Sequence, residues 1–178
     1  PSYYIILTSI VLLISEVLPA SLLSLIIRKS TEFMAKRFIA GKDIQNANES
    51  LKGLMSSNRE ATIDQLGELV VSKDEADLYT SKVIDIIKGL GDSINKGECN
   101  KAGINKAHVS IKVTALTHDF KPQDFHYSYE NVSPRLIKIL LCAKEHDVFI
   151  NIDAEHYHYR DCVFEIYKKV LLDVEELH

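Results

Sequence analysis

The sequence predicts an α/β protein in which short buried strands alternate with amphipathic helices, and three observations point to that class. Three apolar runs, Ala61–Asp64, His108–Leu116 and Val148–Asp153, are bounded by polar residues, as strands buried in a parallel sheet are. Each is followed by a stretch with apolar residues at helical spacing, and right-handed crossovers make such strands parallel neighbours. Each also carries charge at or near its carboxyl end: Asp64 and Glu68 at the first, Lys112 in the second, Asp153 and Glu155 at the third. A charge where a buried strand stops is costly unless it is paired or used. In a parallel barrel, that end is where chemistry sits.

At 178 residues and 46% hydrophobic content, the chain is long enough for one well-buried domain. Its net charge of −4, with no basic tail, argues against nucleic acid as the main partner. Cys99, Cys142 and Cys162 are an odd set without metal-ligand spacing, which reads as free thiols in a reducing compartment. The chain opens with Pro1 and stops directly after a helical pattern, so it reads as a piece of a longer polypeptide. Three β/α units would also leave an open sheet edge.

The apolar opening Tyr3–Ser15 resumes at Leu22–Ile27 after Glu16 and Pro19, and it is shorter than the ~20 residues needed to span a bilayer. It is expected to be a buried helix, kinked or broken at Pro19. Arg28–Gly41 continues as an amphipathic helix, and Asp43–Met55 forms another, so residues 1–58 make a helical arm. The rest, 59–178, carries the strands. After the first, Ser72 and Glu75 form a capping box that starts a helix with Ala76, Tyr79, Val83, Ile87 and Leu90 inward. After the second, a loop over Thr117–Tyr129 leads to Ser133-Pro134, expected to be the N-cap and first position of a helix ending at His146. After the third, Arg160–Val174 is the last helix.

A lysine in such a strand has three readings. It could form a Schiff base with a carbonyl substrate, hold a substrate or cofactor as a fixed charge, or make a structural ion pair with Asp153 or Asp64. Glu155, two residues past Asp153, would share its face only if the strand continued. His118, His126, His156 and His158 lack helical metal-ligand spacing. There is no G-x-G-x-x-G, P-loop or G-x-S-x-G motif.

Ile63–Val70 (IDQLGELV), Ser110–Leu116 (SIKVTAL) and Asn151–Asp161 (NIDAEHYHYRD) together resemble the strand signatures of the proline dehydrogenase family, and Arg37–Gly41 (RFIAG) is similar to its entry to the catalytic domain. The third signature, with its lead-in Asn131–Leu136 (NVSPRL), looks most like bacterial members, some of them fused to an aldehyde dehydrogenase. The resemblance implies an N-terminal helical arm plus the first three β/α units of a distorted (β/α)8 barrel. It implies FAD at the carboxyl ends of the strands and hydride transfer from L-proline to give 1-pyrroline-5-carboxylate, with electrons passed to a membrane quinone. It places the protein in the cytoplasm, with peripheral contact to the inner membrane. Carried over by position, Lys112 would sit beside the flavin and hold the proline carboxylate. Asp153 would pair with it at the flavin, Ala154 would line the isoalloxazine, Asp64 would join the charged cluster and Glu68 would form an ion-pair gate. The family's substrate-binding arginines and most of its flavin contacts come from later strands and helices, so these residues alone are expected to bind FAD weakly and not to turn over. The rivals are a Schiff-base lyase using Lys112 and a non-catalytic half-barrel interaction module.

Overall fold

A computed structural model describes residues 18–67, 70–94 and 97–177. By its packing the chain divides into two compact units, 1–42 and 43–178.

In the first unit a single described helix, α1 (Ala20–Ala35), begins directly after Pro19, which sits at its N-cap. Proline suits a helix start because it has no N–H to leave unpaired there. The expectation of a buried helix does not hold for the described part: α1 has no buried residue, and Leu22, Leu25, Ile26, Ile27, Phe33 and Met34 are exposed. The stretch Tyr3–Ser15 lies outside the described residues. No described helix is long and apolar enough to cross a membrane.

In the second unit α2 (Ile44–Ser56) is capped by Asp43, whose carboxylate accepts from the Asn46 N–H at 2.9 Å. It packs against α3 (Lys73–Ser93). Half of the capping box forms as its residues dictate: the Ser72 hydroxyl accepts from the Glu75 N–H at 3.2 Å, while the Glu75 carboxylate reaches one residue further back and accepts from the Val71 N–H at 2.8 Å. Three strands, β1 (Ile63–Asp64), β2 (His108–Lys112) and β3 (Phe149–Asp153), make one parallel sheet in that order. α3 joins β1 to β2, α4 (Phe125–His146) joins β2 to β3, and α5 (Arg160–Asp173) follows β3.

Register sorts the two faces. Val109 pairs with Ile63 and Ile150, and Ile111 with Ile152; these side chains enter one core with Val83, Ile87 and Leu90 of α3, Leu136 and Ile139 of α4, and Ile166 of α5. Fully burying an aliphatic side chain, as at Val109, Ile111 and Leu136, stabilises by about 1.5–3 kcal/mol, and the partly buried Ile63, Ile150 and Ile152 contribute less. The opposite face carries His108, Ser110 and Lys112 of β2, level with Phe149, Asn151 and Asp153 of β3, and Asp64 of β1 level with Ser110. Charge is therefore confined to the sheet face turned away from the helix-packed core.

Two elements differ from expectation. The second strand stops at Lys112, and Val113–Leu116 winds into a 3₁₀ turn whose Val113, Ala115 and Leu116 are buried. An apolar run does not distinguish a strand from a buried turn. The helix expected to be capped by Ser133 starts nine residues earlier, capped by Asp124, with Pro134 inside it. Packing overrides the proline: Ser128, Val132, Ser133 and Leu136 are all buried on its inner side. Side chains also bond carbonyls on either side of residue 130, whose carbonyl the proline leaves without its helical N–H: Arg135 Nη1 donates to Asn131 O at 3.2 Å and Asn131 Nδ2 to Tyr127 O at 2.8 Å.

Candidate functional site

The site is built where β1, β2 and β3 end. Lys112 is the last residue of β2, and its ammonium is held in the protein, with the side chain only 4% exposed. Nζ lies 2.6 Å from Asp64 Oδ2 and 3.5 Å from Glu155 Oε1. Both carboxylates open to solvent, at 42% and 36%. A buried cation thus faces a wet, acidic rim. The partners of this cation therefore keep their contact with water, which limits the desolvation that burying the pair costs.

Of the residues singled out in the sequence, Lys112 and Asp64 are brought into direct contact. Asp153 is the register partner of Lys112 on the next strand, and the exposed Ala154 follows it directly. Glu68 lies outside the described residues. Glu155 is a correction. The strand does end at Asp153, so alternation alone sets Glu155 aside, yet the irregular backbone beyond the strand returns it to Lys112. The signal available was the carboxylate two residues after Asp153; the turn that aims it was not.

Tyr79 was also missed. It stands in the sequence as one more inward position of an amphipathic helix, but its hydroxyl accepts from the Lys112 backbone N–H at 3.1 Å. Burial, more than any other influence, raises the pKa of its phenol, with the carboxylates of Asp64 and Asp153 adding to the effect. The hydroxyl therefore stays neutral at ordinary pH.

The loops beyond β2 and β3 meet through aromatic rings: Phe120 and Tyr159 lie 5.4 Å apart, and Tyr159 and His156 5.3 Å. Within the β2–α4 loop, Asp119 Oδ2 is 2.8 Å from Lys121 Nζ and accepts from the Tyr127 hydroxyl at 2.9 Å. The Lys121 hydrogen bond first, then that of Tyr127, lower the Asp119 pKa below its ordinary 3.8. A lowered carboxylate pKa stabilises the fold above the unfolded value and loses that contribution as pH falls through the folded one. An NMR titration should give Asp119 a midpoint below 3.8; a midpoint at or above it removes this tie from the loop. Among the described residues, no group of three or more His, Cys, Asp or Glu is placed to hold a metal ion.

Fold and site define a β/α protein with a charged cluster at the carboxyl ends of parallel strands. The family profile described as proline dehydrogenase matches residues 47–177. Proline dehydrogenase 1 of Bacillus subtilis is 30% identical over 147 residues, which cover 83% of this chain and 43% of that protein. The bifunctional protein PutA of Escherichia coli is 26% identical over 155 residues, 84% of this chain and 11% of its own length. The crystal structure of proline utilization A (PutA) from Bdellovibrio bacteriovorus inactivated by N-propargylglycine superposes with a TM-score of 0.76 at 27% identity. That match covers 88% of this chain and 17% of the other. The chain belongs to the proline dehydrogenase family. It spans less than half the length of the curated relatives it matches.

Proposed function

We propose that the protein oxidises L-proline to 1-pyrroline-5-carboxylate with FAD as the acceptor, and that this chain contributes the N-terminal arm (1–58) and the first three β/α units of a (β/α)8 barrel (59–178). The observation that carries this reading is the lysine at the end of β2, buried and bonded by carboxylates from the flanking strands' ends, in the stretches that resemble the family's signatures.

The residues present fit a flavin as part of its site. Lys112 supplies a fixed positive charge, and the exposed Ala154 leaves no long side chain to obstruct a planar ring. FAD bound there would supply the two-electron acceptor for the hydride of proline C5. Lys112 attracts and orients the proline carboxylate, because hydride transfer depends on holding the donor carbon in place more than on a strong base. Asp64 and Glu155 fix the ammonium and favour its charged form. Asp153 would lie at the flavin, and Glu68 would form the gate over bound substrate. The remaining contacts to proline and FAD come from the later part of the barrel.

Electrons would leave to a membrane quinone, from a cytoplasmic protein in peripheral contact with the inner membrane. An aldehyde dehydrogenase fused downstream would consume the product. The first unit supports membrane contact by its charge: Arg28, Lys29, Lys36, Arg37 and Lys42 face a single acid, Glu32, within 18–42, alongside the exposed apolar side chains of α1.

The test is a visible absorption spectrum of the full-length protein, before and after anaerobic L-proline. Flavin bands that bleach with proline are expected. A flavoprotein whose bands ignore proline would overturn the substrate, and a full-length protein that binds no flavin would overturn the cofactor.

A further inference from the structure

The proposed chemistry leaves one buried titratable group beside the site without a part. Tyr79 lies near the amino end of α3, and as a residue it is 5% exposed. Its hydroxyl bonds a backbone group 33 residues away, and that group belongs to Lys112. The sheet explains why a side chain is needed there. β1 ends at Asp64, level with Ser110, so the last two residues of β2 run past the ladder on that side. Directly after Lys112 the backbone leaves the strand for the 3₁₀ turn at Val113. The N–H of Lys112 is bonded by the tyrosine hydroxyl rather than by a carbonyl of β1. A buried N–H without a partner would loosen the strand end at the point from which the ammonium is projected.

We propose that Tyr79 is a positioning residue for Lys112: it pins the backbone from which the lysine side chain departs, while Asp64 and Glu155 pin the ammonium at the other end. The cation is then held at both ends, and its location does not depend on the solvent-exposed carboxylates alone. Burial keeps the phenol neutral, so the state of this bond does not change across the physiological range. The functional consequence, a lysine preorganised for a carboxylate, rests on the proposed role of Lys112 with proline.

The test compares wild type with Tyr79→Phe in the full-length protein. Phe keeps the ring and removes only the hydroxyl, so a purely packing role predicts no local change. Positioning predicts that exchange of the Lys112 amide with solvent speeds up about tenfold, while the Val109 and Ile111 amides are unaffected. It also predicts that the NMR signal of the Lys112 ammonium broadens, and that KM for L-proline rises roughly fivefold to tenfold with kcat within about twofold. Unchanged Lys112 exchange in Tyr79→Phe would overturn the tie itself. Faster exchange with an unaltered ammonium signal or KM would overturn positioning. A wild-type protein inert towards proline would defeat the proposed function instead, and the exchange and ammonium measurements would still decide the role of Tyr79.

Discussion

Replacing Lys112 by Met is expected to raise KM for L-proline by about 100-fold or to abolish turnover, while leaving the fold nearly as stable as before. Truncating one member of a buried, hydrogen-bonded charge pair at a binding site costs about 2–5 kcal/mol of binding, which sets the first expectation. The second follows from exposure. Met keeps the apolar stem, and the abandoned Asp64 and Glu155 are open enough to regain water. Their loss of a partner should therefore change stability by no more than about 1 kcal/mol. The reverse substitution is not equivalent. Asp64→Ala leaves an ammonium that is only 4% exposed without its nearer partner. Breaking a buried pair in that sense costs about 3–5 kcal/mol, and Glu155 together with the openness of Asp64 reduces this to about 2–3 kcal/mol. Urea unfolding of the two variants measures the asymmetry. If Lys112→Met were the more destabilised of the two, the picture of a buried cation with a wet rim would be wrong. Unchanged proline kinetics in Lys112→Met would remove the lysine from substrate binding.

Gly91→Ala should destabilise the protein by about 1–3 kcal/mol, against the ordinary sign for this substitution in a helix. Gly91 is buried in the last turns of α3, and an added Cβ would sit 2.7 Å from the His146 carbonyl oxygen and 2.8 Å from its Cβ. The oxygen is backbone at the end of α4, so it cannot swing aside as a side chain would. Gly53 is the internal control. It lies inside α2 with nothing within 4 Å of the added atom, so Gly53→Ala should stabilise by about 0.5–1 kcal/mol through helix propensity. Thermal melts of both variants decide the matter. Equal stabilisation by the two would mean that α3 and α4 do not approach as closely as the structure has them.

Much of the architecture was visible in the residues because local chemistry and packing agree there. Ser72 and Glu75 announce the start of α3, the pattern over Asp43–Met55 becomes α2, and the apolar runs before Asp64, in 108–112 and before Asp153 become parallel strands. Where the two conflict, the reading fails in predictable places. Pro134 is a sound start signal in isolation, but Val132, Ser133 and Leu136 bury enough surface for the helix to run through it. Leu22–Ile27 is apolar enough to predict burial, yet Leu22, Leu25, Ile26 and Ile27 are exposed in their own unit. Val113–Leu116 satisfies a buried strand and a buried 3₁₀ turn equally well.

The candidate site divides along the same line. Residue type and order within the chain are properties of the sequence, and they were sufficient to single out Lys112, Asp64 and Asp153, because a charge ending an apolar strand is conspicuous at any level of folding. Which carboxylates reach the ammonium is a property of space. Glu155 arrives through an irregular turn after the strand, where period-two alternation no longer applies, and Asp64 through pairing of strands far apart in the chain. Tyr79 is the clearest case. A tyrosine among core positions of a helix looks the same in sequence whether its hydroxyl is idle or bonded, and only the register that ends β1 two residues short of Lys112 brings that hydroxyl to the lysine's backbone N–H.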